Sequence, residues 1–221
     1  MASTGPVEKY RVKKKPLKKW NLQDTVTIRA GDAATGRDLV THRELACYYS
    51  PVFKAAFNSQ FIEGETQKYT LADVSPAVGR LLIHWFYHQE LDLEFNQATK
   101  SRADMHLCEL WVLADKLMIP SLQNTAVLHM EWLRLTFHTI STNCLNYVYE
   151  NTEWESPLRM LFLHWCAFNM AESRFMEKPE HFPKEMLLEL AALQSRALPQ
   201  RSGELRRERR DMMMFKVEEL E

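Results

Sequence analysis

The chain predicts a mixed α/β (α+β) fold, with strands near its start and helices through most of the rest, on three observations. Residues 24–31, DTVTIRAG, are rich in β-branched side chains, and after the turn-like DAATG the extended pattern resumes at Leu39 and Val40. Ser50–Pro51 and Ser75–Pro76 each pair a capping hydroxyl with a proline suited to a first helical turn. From Val78 onward, apolar residues recur at helical spacing.

Taken in order, the first element is a β-hairpin through Asp24–Gly31 and Leu39–Val40. A short helix over about Arg43–Tyr49 follows, and Ser50 and Pro51 end it and start a second. Gln67–Leu71 is a further strand candidate. The helix opened by Ser75 carries Val78, Leu81, Leu82, Trp85 and Phe86 at i, i+3, i+4, i+7 and i+8, a broad apolar stripe. The polar stretch Asn96–Ser101 reads as an exposed loop. Beyond it, Leu107, Leu110, Trp111, Ala114 and Met118 line one helix face, and Pro120 starts a successor bearing Leu122, Ala126, Met130 and Leu133. Three more faces follow: Leu145, Val148 and Tyr149; Leu158, Leu161, Phe162 and Trp165; and Met186, Leu190, Leu193 and Ala197. Pro199 and Gly203 interrupt the pattern before ELRRERRDMMMFKVEELE. That stretch reads as a solvated helix with a small apolar patch or as a frayed terminus.

Composition narrows the function classes. The chain has 221 residues, 46% of them hydrophobic and 26% charged, enough to bury a sizeable core. No apolar run approaches a membrane span, the start lacks an apolar secretory core, and no Asn-x-Ser/Thr acceptor occurs. These features lead us to expect an intracellular protein of the nucleus or cytoplasm, with no membrane partner. Cys47, Cys108, Cys144 and Cys166 are far apart and form no CxxC pair, which suits reduced thiols. The formal charge of −1 hides an asymmetry, because residues 1–20 hold seven basic side chains against Glu8 alone. This arm, which includes Lys13, Lys14, Lys15, Lys18 and Lys19, reads as a flexible tail that serves nuclear import or weak phosphate-backbone contact, or that only solubilises the chain. The remaining body is net acidic, which argues against nucleic-acid binding by the domain itself.

Enzyme-like patterns are weak. Gly31-x-x-x-x-Gly36 has the glycine spacing of a phosphate loop, but Arg37 and Asp38 stand where Lys and Ser/Thr are needed, and a strand follows. His84 and His88 lie four apart on a helix, as two metal ligands do, yet no third ligand is evident. Cys108 beside His106 and Cys166 beside His164 place thiol and imidazole at spacings that do not converge on a helix. No catalytic, cofactor or metal residues are assigned, and a small metal-dependent or thiol enzyme is kept only as a remote alternative.

The blocks HRELACYYSPVF at His42–Phe53, FIEGE at Phe61–Glu65 and LADKLMIPSLQN at Leu113–Asn124, in this order and spacing, resemble the BTB/POZ domain family. His42 stands where the family places a His at the start of its first core helix. Further matches run through Phe57, LADVSP at Leu71–Pro76 and WFY at Trp85–Tyr87. The resemblance covers about Asn21–Trp132 and is nearest to fungal members, in which helices follow the domain.

The resemblance implies a compact α/β unit, a small sheet flanked by a helix cluster, that works by contact with protein partners. Residues 1–20 are then a basic arm, 21–132 the domain, 133–198 a helical extension and 199–221 a charged tail. The family uses two modes of association. Homodimers employ an amphipathic helix ahead of the first strand and a buried Asp with a basic partner. KYRVKKKPLKKWNL has no apolar stripe and contains Pro16. Arg43 matches the basic partner, but Thr25 rather than Asp24 falls at the acidic position, which leaves homodimerisation open. The other mode is adaptor binding to a cullin scaffold of a ubiquitin ligase through an apolar residue, any residue and Glu. Phe61, Ile62 and Glu63 match that pattern and place, with Phe61 as anchor and Glu63 as orienting carboxylate. The competing reading packs Phe61 into its own domain. The leading expectation is a non-enzymatic scaffold or adaptor, with a self-associating nuclear or transcription-linked module as the alternative.

Overall fold

The computed structural model describes residues 23–32, 34–93, 96 and 98–197. A three-stranded sheet is ordered β2-β1-β3. In it β1 (Thr25–Ala30) pairs antiparallel with β2 (Arg37–His42) and parallel with β3 (Lys68–Leu71). Val26, Ile28 and Ala30 of β1 are buried, while Thr27 and Arg29 between them are only half-buried. That period-2 alternation is what one covered face requires.

The hairpin expected from the sequence is present, and it accounts for the glycine pair. Gly31 has φ +99°, and a Cβ there would come within 2.6 Å of Gly36 Cα. The Asp32 carboxylate accepts from the N–H groups of Ala34 and Thr35, at 2.9 and 2.7 Å, and this closes the turn into β2. The glycines therefore serve a hairpin turn.

α1 (Arg43–Tyr49) and α2 (Pro51–Phe57) meet at Ser50. Its buried hydroxyl accepts from the Phe53 N–H and donates to the Leu117 carbonyl at 2.8 Å. One side chain thus caps α2 and fixes a turn far along the chain. A short helix that the sequence reading omitted, α3 (Ile62–Thr66), leads into β3, whose start shifts by one residue because Gln67 takes φ +51°. α4 (Pro76–His88) packs on β1 and β2, with the Ser75 hydroxyl capping Val78.

α5 (Lys100–Lys116) and α6 (Pro120–Phe137) form an antiparallel pair through the centre of the molecule. Two expectations are corrected here. Met118 does not line the buried face, because α5 ends at Lys116 and Met118, at φ +56°, is 61% exposed in the turn. Nor is the whole of Asn96–Ser101 exposed loop. Lys100 begins α5 and is buried against Asp104 and Ser141.

A 3-10 turn (Thr142–Cys144) then feeds α7 (Leu145–Asn151), α8 (Pro157–Asn169), α9 (Glu172–Glu177), a second 3-10 turn (Pro179–His181) and α10 (Lys184–Ala197). The first turn and α7 pack on α5, and α8 packs on both α7 and α10. The apolar core runs without a break from Val26 to Leu190. α6 itself runs across residue 132, so one helix belongs to both segments distinguished in the sequence. Among the described residues, no helix is long and apolar enough to cross a membrane.

Candidate functional site

The segment 61–63 sits on α3, and local hydrogen bonds fix its backbone closely. The Ser59 hydroxyl donates to the Ala56 carbonyl at 2.7 Å and accepts from the Phe61 N–H at 3.2 Å. The Phe61 carbonyl then takes the N–H groups of Gly64 and Glu65. A Cβ at Gly64 would lie 1.9 Å from the Ser59 carbonyl oxygen, so only glycine allows α3 to fold back on the end of α2.

Arg43 belongs to the same construction. Its guanidinium donates to the Phe57 carbonyl at 3.0 Å and to Asn58 Oδ1 at 2.6 Å. Gln67, between α3 and β3, reaches the same Phe57 carbonyl at 3.1 Å and the Gly64 carbonyl at 2.6 Å. The end of α2 is therefore clamped by two side chains, one from before it and one from after it. The sequence reading treated Arg43 and Phe61–Glu63 as separate sites, and the clamp links them.

On this rigid base Phe61 is 76% exposed and Ile62 69%, with Glu63 half-buried beside them. Phe61 does not pack into its own domain. Two adjacent large apolar side chains are thus held in water at the start of a well-bonded helix.

Asp24 and Arg43 also border a groove of about 550 Å³ with Cys47, Tyr48, Pro51 and Lys54. The Arg43 N–H donates to the Asp24 carbonyl at 2.9 Å, but among the described residues the two side chains form no ion pair. Thr25, the position expected to replace an acid, pairs with His42 in the sheet. Burial raises the Cys47 thiol pKa, against the pull of Arg43 and Lys54.

The remaining candidates do not assemble reactive groups. The His84 and His88 rings stack at 4.3 Å, and no cluster of three or more His, Cys, Asp and Glu fit for a metal occurs among the described residues. The Cys108 thiol is raised well above its ordinary range, first by its hydrogen bond with Cys144 and then by burial. Burial pushes Cys166 up to about 12. His164 is turned to the Met160 carbonyl at 2.7 Å. Neither thiol is poised as a thiolate nucleophile. Lys13, Lys14, Lys15, Lys18 and Lys19 lie outside the described residues.

The exposed Met118 and Trp154, 61% and 75% accessible, were missed. Met118 continues the helical stripe in sequence, but α5 ends at Lys116 and the turn gives Met118 a positive φ.

Comparison with known proteins agrees with this architecture. A family model described as BTB/POZ domain matches residues 14–132. Kelch-like protein 41 from Homo sapiens is 28% identical over 105 residues, covering 48% of this chain. The aligned region spans only 15% of that relative's length.

Proposed function

The chain belongs to the BTB/POZ domain family, a class of protein-interaction modules without catalytic chemistry, and from that premise we propose that it is an adaptor joining a cullin-type ubiquitin ligase to a second protein. The observation that carries this reading is the exposure of Phe61 and Ile62 on a short helix whose backbone Ser59, Gly64, Arg43 and Gln67 hold in place. An aromatic anchor on a rigid base loses little entropy when it enters a partner's groove, and Glu63 beside it supplies orientation. The extension α7–α10 offers the second partner a separate surface. In this reading the kinship lies with the fungal members whose domain is followed by helices, the chain has no catalytic role, and the basic arm admits it to the nucleus as well as the cytoplasm.

Affinity purification of the intact chain with mass spectrometry, set beside the Phe61→Ala/Glu63→Lys double variant, tests the adaptor reading. A cullin recovered with the wild type and lost from a folded double variant supports it. A wild type that recovers no cullin ends it.

A second reading, self-association without a ligase role, is favoured by the groove that Asp24 and Arg43 share. Sedimentation velocity over a range of concentrations decides it. A dimer that Arg43→Glu dissolves supports self-association, and a monomer throughout removes it.

A further inference from the structure

Away from Phe61, a groove of about 1050 Å³ lies between β2, α4 and the stretch that enters α5. That is the size of a cleft able to hold a ligand, for which roughly 300–1,000 Å³ is typical. Its apolar floor includes Leu39, Leu81 and Ile83, and its cationic walls are Arg80 on α4 and Arg102 on α5. Both arginines are exposed, and neither forms an ion pair among the described residues. His84 and His106 line it too, while Asp92 is the acid on its rim; Glu94, next in that stretch, lies outside the described residues. On a chain whose body is net acidic, two unpaired arginines facing one cleft concentrate positive potential there.

The same groove is bordered by an open strand edge. β2 has β1 on one side and no strand on the other among the described residues. The Arg43 N–H bonds toward β1, to Asp24, whereas the His42 N–H turns away to Tyr87 Oη. By the alternation of an antiparallel pair, the N–H and C=O of Val40 also turn outward. Val40 lines the groove and is 62% exposed. Unpaired main-chain groups beside an apolar floor are what an added strand uses.

We propose that this groove docks an extended acidic segment of a partner protein, laid along the β2 edge with its carboxylates on Arg80 and Arg102 and its apolar side chains on Leu39 and Ile83. The charge selects the occupant: a basic segment meets like charge, and a purely apolar one leaves both arginines unpaired. This inference stands apart from the cullin reading, because Phe61 takes no part in it.

The test uses the full chain and a fluorescein-labelled peptide of alternating Glu and Val, with a Lys–Val peptide as control, followed by fluorescence anisotropy. The Glu peptide is expected to bind saturably, the Lys peptide not. Arg80→Glu with Arg102→Glu should weaken binding by about 10-fold or more, as loss of two charge pairs implies. Arg80→Gln with Arg102→Gln, a milder pair for use if reversal disturbs the fold, should weaken it by about 3-fold or more. Phe61→Ala should leave the affinity unchanged. Amide exchange in Arg37–His42 should slow when the peptide is bound. Equal binding of the two peptides, undiminished affinity in a folded arginine variant, or unchanged exchange in β2 overturns the proposal. A dimer of the free chain that the arginine variants dissolve also overturns it, since the groove then receives a second copy.

Discussion

Tyr87, in the last turn of α4, holds His42 at the joint between β2 and α1 through a 2.8 Å contact from Oη to Nδ1. The His42 N–H and the Thr41 hydroxyl also donate to Tyr87 Oη, at 3.3 and 3.2 Å. Tyr87→Phe leaves buried Thr41 and the strand end without this partner and should cost about 1–2 kcal/mol in urea unfolding. An unchanged midpoint would show that the contact contributes nothing net.

Arg159 organises the helical extension. It is buried on α8, donates to the carbonyls of Tyr149 and Thr152 and to the Thr152 hydroxyl, and lies 4.5 Å from the Tyr149 ring centroid. The Tyr149 hydroxyl donates in turn to Glu189 of α10 at 2.6 Å, so three helices meet through one guanidinium. Arg159→Ala strands two carbonyls and should destabilise the chain by about 3–5 kcal/mol. Limited proteolysis should then cut within 145–197 before it cuts the sheet. Uniform cleavage would argue against a local role.

Lys100 and Asp104, one turn apart on α5, are paired at 2.5 Å with each side chain about 8% exposed. Lys100 also donates to Ser141 at 2.8 Å, tying the start of α5 to the chain after α6. Lys100→Met alone leaves a buried carboxylate and should cost about 3–5 kcal/mol. Adding Asp104→Leu should recover most of that loss, because well-packed apolar residues replace buried ion pairs at little cost. If the double variant is as unstable as the single one, packing rather than charge is the cause.

The stability of the chain should fall on mild acidification. Burial of the His129 imidazole on α6 lowers its pKa below the ordinary 6.5, with Glu90 opposing the shift. The folded chain then binds fewer protons than the unfolded one below that value. The His129 contribution is therefore complete above about pH 6.5 and is lost as the pH drops toward the folded pKa. Thermal melts between about pH 7 and pH 5 should show a smaller decline for His129→Gln than for the wild type. Parallel curves for the two proteins would exclude His129 as the source.

Much of this architecture was legible because strong local signals agreed with the tertiary outcome. The β-branched run at Thr25–Ala30, the Ser50 and Ser75 caps and the stripe from Val78 to Phe86 each specify one element with one buried face. What escaped depended on distant atoms. Met118 takes a positive φ because the turn between α5 and α6 demands it. Lys100, in a polar run, is buried because Asp104 and Ser141 receive it. For the candidate site, the motif at Phe61–Glu63 was readable, but its exposure was not, since an aromatic after an amphipathic helix fits a core equally well. The link from Arg43 to Phe57 and Asn58 spans 14 and 15 residues and leaves no periodic trace.

α6 covers 18 residues, about 27 Å of continuous rod. Its first half leans on the strands' helical cover and its second half leads into the segment anchored by Arg159. A chain severed at residue 132 would end in mid-helix and lose Leu133, which is 1% exposed, leaving an oily stump. Excising either half for study therefore invites aggregation. A protein gripped at one end of this strut would transmit its orientation to whatever sits at the other, as a wrench transmits torque to a bolt.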